Sequence, residues 1–142
     1  MSLSNFSLKG KKALVVGARR NMGKAFALGL AEAGADVAVT DINIESGQLL
    51  KVSKEIEAMG RKSLALKADI SSEKEVKKLV KTVIDEFGTI DILMNVAVMY
   101  HPKSVVDLDE DSWEKLTNVN LKGYWLMTVS YTHLTLPTIY SV

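Results

Sequence analysis

Short apolar runs alternate four times with stretches of helical periodicity along this chain, and no other feature restricts its possible folds as tightly. Ala13-Leu14-Val15-Val16 is apolar on both faces and closed by Gly17, which suits a central parallel strand covered by helices on either side. Residues Met22 to Ala33 read as a helix stopped by Gly34. Asp36 to Thr40 is a second strand with Asp41 at its end. Glu45 to Met59 is a second helix whose Leu49, Val52, Ile56 and Met59 recur at helical spacing, stopped by Gly60.

Ser63 to Ala68 is a third strand ending at Asp69-Ile70. Ser72 and Glu75 form a capping box for a helix whose apolar stripe is Val76, Leu79, Val80, Val83, Ile84 and Phe87. Lys74, Lys77, Lys78 and Lys81 lie on its other side and read as a solvated face. Asp91 to Asn95 is a fourth strand. Asp109 to Asp111 are acidic residues suited to the start of a fourth helix. Trp113, Leu116, Val119 and Asn120 are expected to share its inward face. Strand alternating with helix implies a three-layer α/β fold of Rossmann type. Its parallel sheet has right-handed crossovers and carries ligands at the C-terminal strand ends. The pattern lasts to about the fourth strand and the helix after it. Residues 1–128 are therefore assigned to a partial Rossmann domain and 129–142 to a tail.

Composition narrows the function classes. The chain has 142 residues, 47% hydrophobic and 25% charged, as an ordinary globular domain does. With 18 basic and 17 acidic side chains the net charge is +1, so no basic excess favours nucleic acid or an anionic membrane surface. The absence of cysteine excludes disulfides, thiolate metal sites and cysteine nucleophiles, and no metal site is expected. Met1 to Lys12 has no apolar signal core, and no apolar run approaches the roughly 18 residues of a membrane span, so a cytoplasmic protein is expected.

Gly17-Ala18-Arg19-Arg20-Asn21-Met22-Gly23 joins strand one to helix one. A tight turn here presents backbone N–H groups and the positive end of a helix to a pyrophosphate, and glycine permits close backbone approach. A triphosphate loop fits poorly, because Gly17 and Gly23 are separated by five intervening residues rather than four and Lys24 precedes Ala25 instead of Ser or Thr. Asp41 follows Gly23 by 18 positions, close to the place where an acid accepts bonds from the adenosine ribose hydroxyls. Its charge repels a 2′-phosphate, whereas Arg19 or Arg20 attracts one. Asp41 stands nearer the expected place, so NAD is favoured over NADP.

These motifs together resemble the short-chain dehydrogenase/reductase family over about Phe6 to Met127, roughly the first half of a typical member. Gly17 to Gly23 is similar to the family's TGxxxGxG, with Val16 for Thr and Asn21 for the middle Gly. Asn tolerates left-handed backbone better than most residues. Asp69-Ile70 is similar to the family's Asp-Val pair near the adenine. Asn95-Val96-Ala97-Val98 stands in place of Asn-Asn-Ala-Gly, matching at Asn95 and Ala97, with the bulk of Val98 added beside the groove.

Asn120-Leu121-Lys122-Gly123 matches the family's Asn-Leu-x-Gly. The resemblance implies that Asn120 belongs to a catalytic Asn-Ser-Tyr-Lys set, where it holds a water that relays protons to the lysine. The other three are absent. Tyr131 has Thr135 four residues on instead of Lys, and Tyr140 has no residue there. From Val129 the sequence loses the family pattern and reads as non-native or disordered. Ser130, Tyr131 and His133 have no identifiable acid partner and form no nucleophile site. Tyr100, His101 and Lys103 read as ordinary loop residues.

The resemblance implies hydride transfer between a nicotinamide cofactor and an alcohol or ketone, of sugar, polyol or 3-oxoacyl type, in a protein that is a homo-oligomer. The chain as written is expected to be inactive and poorly soluble, with one sheet edge open. The alternatives are a non-catalytic dinucleotide-binding protein and a flavodoxin-like domain, the latter disfavoured by the glycine spacing and Asp41.

Overall fold

The computed structural model describes residues 6–102 and 104–135, apart from the side chains of 133–135. Four strands, β1 (Lys12–Val16), β2 (Asp36–Asp41), β3 (Ser63–Lys67) and β4 (Ile92–Asn95), form one wholly parallel sheet in the order β3-β2-β1-β4. Helices α1 (Asn21–Glu32), α2 (Gln48–Ala58) and α3 (Glu73–Phe87) provide the crossovers. After β4 come a short 3-10 turn (Val105–Asp107), α4 (Glu110–Thr117), a π-helical segment (Asn118–Gly123) and α5 (Tyr124–Thr135). This is the truncated Rossmann architecture expected from the alternation.

The period-two geometry of β1 sorts the core into two layers. Ala13 and Val15 face α1 and α2, meeting Ala27, Ala31, Leu49, Val52 and Ile56 together with Val37 and Val39 of β2. Leu14 and Val16 face α3 and α5, meeting Val76, Leu79, Val80, Val83, Leu126 and Met127. β1 is thus buried from both sides, which explains why its sequence shows no polar alternation. The chain changes sheet face at α3, so the strand order reverses between β1 and β4, and a crevice opens there at the C-terminal strand ends.

Glycines stop three helices as read: Gly34, Gly60 and Gly88 all have positive φ. α2 starts three residues later than the periodicity suggested. Gly47 precedes it with φ +71°, and Glu45 lies outside the helix, paired with Lys67. Met59 is exposed rather than part of the stripe. Ser72 Oγ accepts from the Glu75 N–H at 3.4 Å, but the Glu75 carboxylate turns to the Asp69 N–H at 2.8 Å, so only half of a reciprocal capping box forms. The four lysines of α3 are exposed, two of them paired along the helix with Glu73 and Asp85.

The fourth helix departs most. Trp113 is 56% exposed and Asn120 is also exposed, so the expected inward face is carried by Val119 and partly by Leu116 alone. The π-helical segment breaks the regular period between Trp113 and the buried Leu126 and Met127. α5 itself runs across Thr128 to Thr135 without interruption. Tyr131 packs against the core and donates to the Asp91 carbonyl at 3.3 Å. Residues 136–142, including Tyr140, lie outside the described part.

One acidic residue at the base of the sheet makes stability depend on pH. Burial pushes the Asp36 carboxyl up. The hydrogen bonds from Lys12 Nζ and the Lys62 N–H, with the charges of Lys12 and Arg61, outweigh that and hold it below its ordinary 3.8. A carboxyl lowered by folding stabilises the native state at pH above its unfolded value and loses that contribution as pH falls through the folded one. Urea midpoints are therefore expected to fall as pH drops from about 6 to about 3, with a shallower slope in Asp36→Asn. Equal slopes in the two proteins would show that Asp36 contributes nothing.

Candidate functional site

Each strand delivers one wall of the crevice at its C-terminal end. Val16 and Gly17 follow β1, Asp41 and Ile42 close β2, Ala68 to Ile70 follow β3, and Val96 to Met99 follow β4. The cavity measures about 410 Å³, within the ordinary range of small-molecule sites. The glycine loop and Asp41 share it, as a dinucleotide reading requires. Arg19, Arg20, Asn21, Met22 and Gly23 line one side and Asp69, Ile70 and Ala97 the other.

The glycines serve a more internal purpose than the sequence suggested. Gly17 has φ +80°, and a Cβ there would stand 2.7 Å from the Ala97 nitrogen. A Cβ on Gly23 would stand 2.0 Å from the Gly17 carbonyl oxygen. Both positions are bare because backbone meets backbone within the protein. Arg20, Asn21 and Met22 are the exposed part of the loop, beside Gly17 and Gly23 in the cavity lining. Asn21, in place of the family's middle glycine, has φ +49° and is the only non-glycine with positive φ among the described residues.

α1 begins at Asn21, and neither a side-chain cap nor a first-turn acid satisfies its N-terminus. Its first-turn N–H groups have no acceptor within the helix, and the dipole adds partial positive charge. α3 and α4, by contrast, are capped by Ser72 and Asp109. The arrangement fits a diphosphate.

At the end of β2, Asp41 Oδ1 accepts from the Asn43 N–H at 3.0 Å and from Arg19 Nε at 3.4 Å. Arg19 Nη1 donates in turn to Gln48 Oε1 at 2.8 Å. Gln48 was not anticipated. It opens α2 directly after the left-handed Gly47, and its reach back over the loop leaves no trace in residue spacing. Asp69 is fixed by Ser71, whose N–H and Oγ both bond its Oδ1 at 2.9 and 2.7 Å.

A family profile described as short chain dehydrogenase matches residues 11–136. The chain belongs to the short-chain dehydrogenase family. It is 35% identical over 128 residues to the 2-dehydro-3-deoxy-D-gluconate 5-dehydrogenase of Dickeya dadantii, covering 90% of this chain and 49% of that one. Among solved structures, a short chain dehydrogenase from Burkholderia cenocepacia in complex with NADP superposes with a TM-score of 0.85 at 35% identity, covering 90% of this chain and 52% of that one. An NAD⁺-bound xylitol dehydrogenase superposes with a TM-score of 0.82 at 31% identity, covering 88% and 48%. The chain spans about half the length of the relatives it matches. Because one neighbour holds NADP and the other NAD⁺, the comparisons support a nicotinamide dinucleotide and do not rank NADP below NAD.

Two positions named for the short-chain dehydrogenase resemblance lie outside the cavity lining. Asn95 ends β4 with both amide atoms buried and unbonded among the described residues. It lies behind the wall that Val96 to Met99 provide. Asn120 sits in the π-helical segment, where its Oδ1 accepts from the Met99 N–H and its Nδ2 donates to the Met99 carbonyl, both at 2.8 Å. Its side chain fastens the loop after β4, using one acceptor site and one of its two N–H donors. Gly123 of the same motif has a local reason as well, since a Cβ there would stand 2.8 Å from Ile70 Cδ1. Val98, 70% exposed, projects from the cavity wall. Lys103 lies outside the described residues. Among the described residues no group of three His, Asp or Glu side chains is placed to hold a metal, and no helix is long and apolar enough to cross a membrane.

Proposed function

We propose that this chain carries the coenzyme-binding part of an NAD(P)-dependent oxidoreductase acting on an alcohol or ketone. One observation supports it above all: the N-terminus of α1, left uncapped, and the Asp41 carboxylate converge on one cavity at the strand ends. The diphosphate lies along Arg20 to Gly23, the adenosine ribose donates to Asp41, and the adenine rests by Asp69 and Ile70. When bound, the coenzyme supplies the hydride acceptor or donor. The residues of this chain bind it and orient it, and Asn120 holds the Met99 loop that walls its far side.

The substrate class, a sugar acid, polyol or acyl thioester, is proposed only as broadly as the relatives vary. A homo-oligomeric whole protein is likewise proposed from the family. No tyrosine in residues 1–142 is followed by lysine four positions on, so these residues have no phenol–ammonium pair to move the substrate proton.

Titration of the purified 142-residue protein with NAD⁺, followed by amide NMR, tests the site. Saturable shifts are expected at Gly17 to Gly23 and at Asp41, with no coenzyme reduction in the presence of polyols or sugar acids. Unmoved amides in the loop would overturn the binding site, and measurable reduction would overturn the predicted inactivity.

A further inference from the structure

We infer that Val98 sets specificity in this groove: it stands in the way past the diphosphate, so that the chain grips the adenosine diphosphate portion of the coenzyme and gains little from the nucleoside beyond it. The inference rests on the dinucleotide reading above and deepens it by naming the portion that is recognised.

Val96 to Met99 wall the cavity after β4, and three contacts hold them in place. The Val96 N–H donates to the Val16 carbonyl at 3.0 Å and prolongs the pairing of β4 with β1. Ala97 abuts Gly17, where a Cβ would stand 2.7 Å from the Ala97 nitrogen. Met99 is bonded through both its N–H and its carbonyl to the Asn120 amide. Val98 is thus held at both neighbours. Val96, Ala97 and Met99 are half-buried, whereas Val98 is 70% exposed and belongs to neither core cluster. Its isopropyl group therefore stands out from the wall, and its branched Cβ restricts χ1 and leaves it little freedom to fold away. Asn21 is the only non-glycine with positive φ among the described residues, so the backbone at 98 takes a side chain without strain. The short-chain dehydrogenase pattern has glycine here, and Val98 fills the space that glycine leaves open. The residues that serve the adenosine and the diphosphate lie at the ends of β2 and β3 and in the loop after β1, while Val98 lies in the loop after β4. An apolar group at this place offers a second ribose neither donor nor acceptor, and it takes up room that the hydroxyls and their water need.

The test compares ADP with NAD⁺, which share the adenosine diphosphate and differ in the second nucleoside, by calorimetric titration of the full 142-residue chain. The unaltered protein is expected to bind the two within about threefold of each other. Val98→Gly is expected to raise affinity for NAD⁺ relative to ADP by about fivefold or more, and Val98→Ala to raise it by less. Val98→Leu is expected to lower the same ratio by about threefold or more. None of these substitutions alters charge, so the charge difference between the ligands cancels when ratios are compared. If Val98→Gly does not fold, the alanine and leucine variants read the same trend. A ratio that alanine and leucine leave unmoved, or move in one direction, overturns the inference. So do variants that weaken ADP and NAD⁺ equally, because that marks a merely structural role, and so does an unaltered protein that binds NAD⁺ more than about tenfold tighter than ADP. Failure of the unaltered protein to bind ADP overturns the dinucleotide reading itself, which separates the two failures.

Discussion

Gly23→Ala is expected to cost about 3 kcal/mol or more and to abolish nucleotide binding with the fold. The new methyl would stand 2.0 Å from the Gly17 oxygen, 2.8 Å from its carbonyl carbon and 2.9 Å from the Ala18 Cα. All three are backbone atoms, so no rotamer change relieves the clash. Gly17 cannot retreat either, because it is wedged against Ala97 and held by its N–H bond to the Thr40 carbonyl. A penalty of this size is a large share of a domain stability of roughly 5–15 kcal/mol. Gly29→Ala provides the contrast. It lies in the same helix with nothing within 4 Å of its would-be Cβ, and alanine there is expected to stabilise by about 0.5–1 kcal/mol. Urea unfolding of the two variants checks both signs. A Gly23→Ala protein with an unshifted midpoint would mean that the tight contact of loop on helix does not exist.

Asp41→Asn is expected to weaken 5′-AMP by about tenfold or more. Hydrogen bonds to a charged acceptor contribute roughly 1.5–3 kcal/mol, and each 1.4 kcal/mol is a factor of about ten. Asparagine retains an oxygen for the Asn43 N–H, so the turn after β2 is kept while the charge facing the ribose is lost. Calorimetric titration reads the change directly. Full affinity in Asp41→Asn would remove the acid from the binding site and leave the glycine loop as its sole anchor.

Most of the fold could be read from the residues, and the reasons are local. β1 and β2 are buried on both sides and so appear as unbroken apolar runs. Gly34, Gly60 and Gly88 stop helices through their own backbone preference. α3 combines a wide apolar stripe with a Ser72 cap, two signals that agree. The departures have two sources, an irregular local backbone and distant partners. Trp113 was assigned inward from helical period alone, but the π-helical segment that follows it breaks that period, and no residue type announces such a segment. The reason for glycine at position 17 lies in Ala97, eighty positions away.

The cleft shows the same division. The order of loop, helix and acid is a matter of spacing, and it was visible. The bond from Arg19 to Gln48 and the clasp of Asn120 on Met99 depend on where side chains land after folding. Motif position groups Asn95 with the cofactor residues and Asn120 with the catalytic set, whereas the groups that surround each amide in the fold leave no trace in the motif.

The order of the strands also implies a timetable for assembly. β1 pairs with β2 from Lys12 to Asp36 and β2 with β3 from Val37 to Ser63, each through a single helical crossover, so their contacts are near in sequence. β4 must instead find β1 at Ala13 and Ile92, much farther apart in the sequence, on the side of β1 away from β2. Docking of β4 is thus expected to be the late event, leaving Gly17 without its contact to Ala97 until then. Because Val96 to Met99 after β4 complete the groove, a chain in which β4 had not docked would display the acid and the glycine turn with only part of the groove beside them.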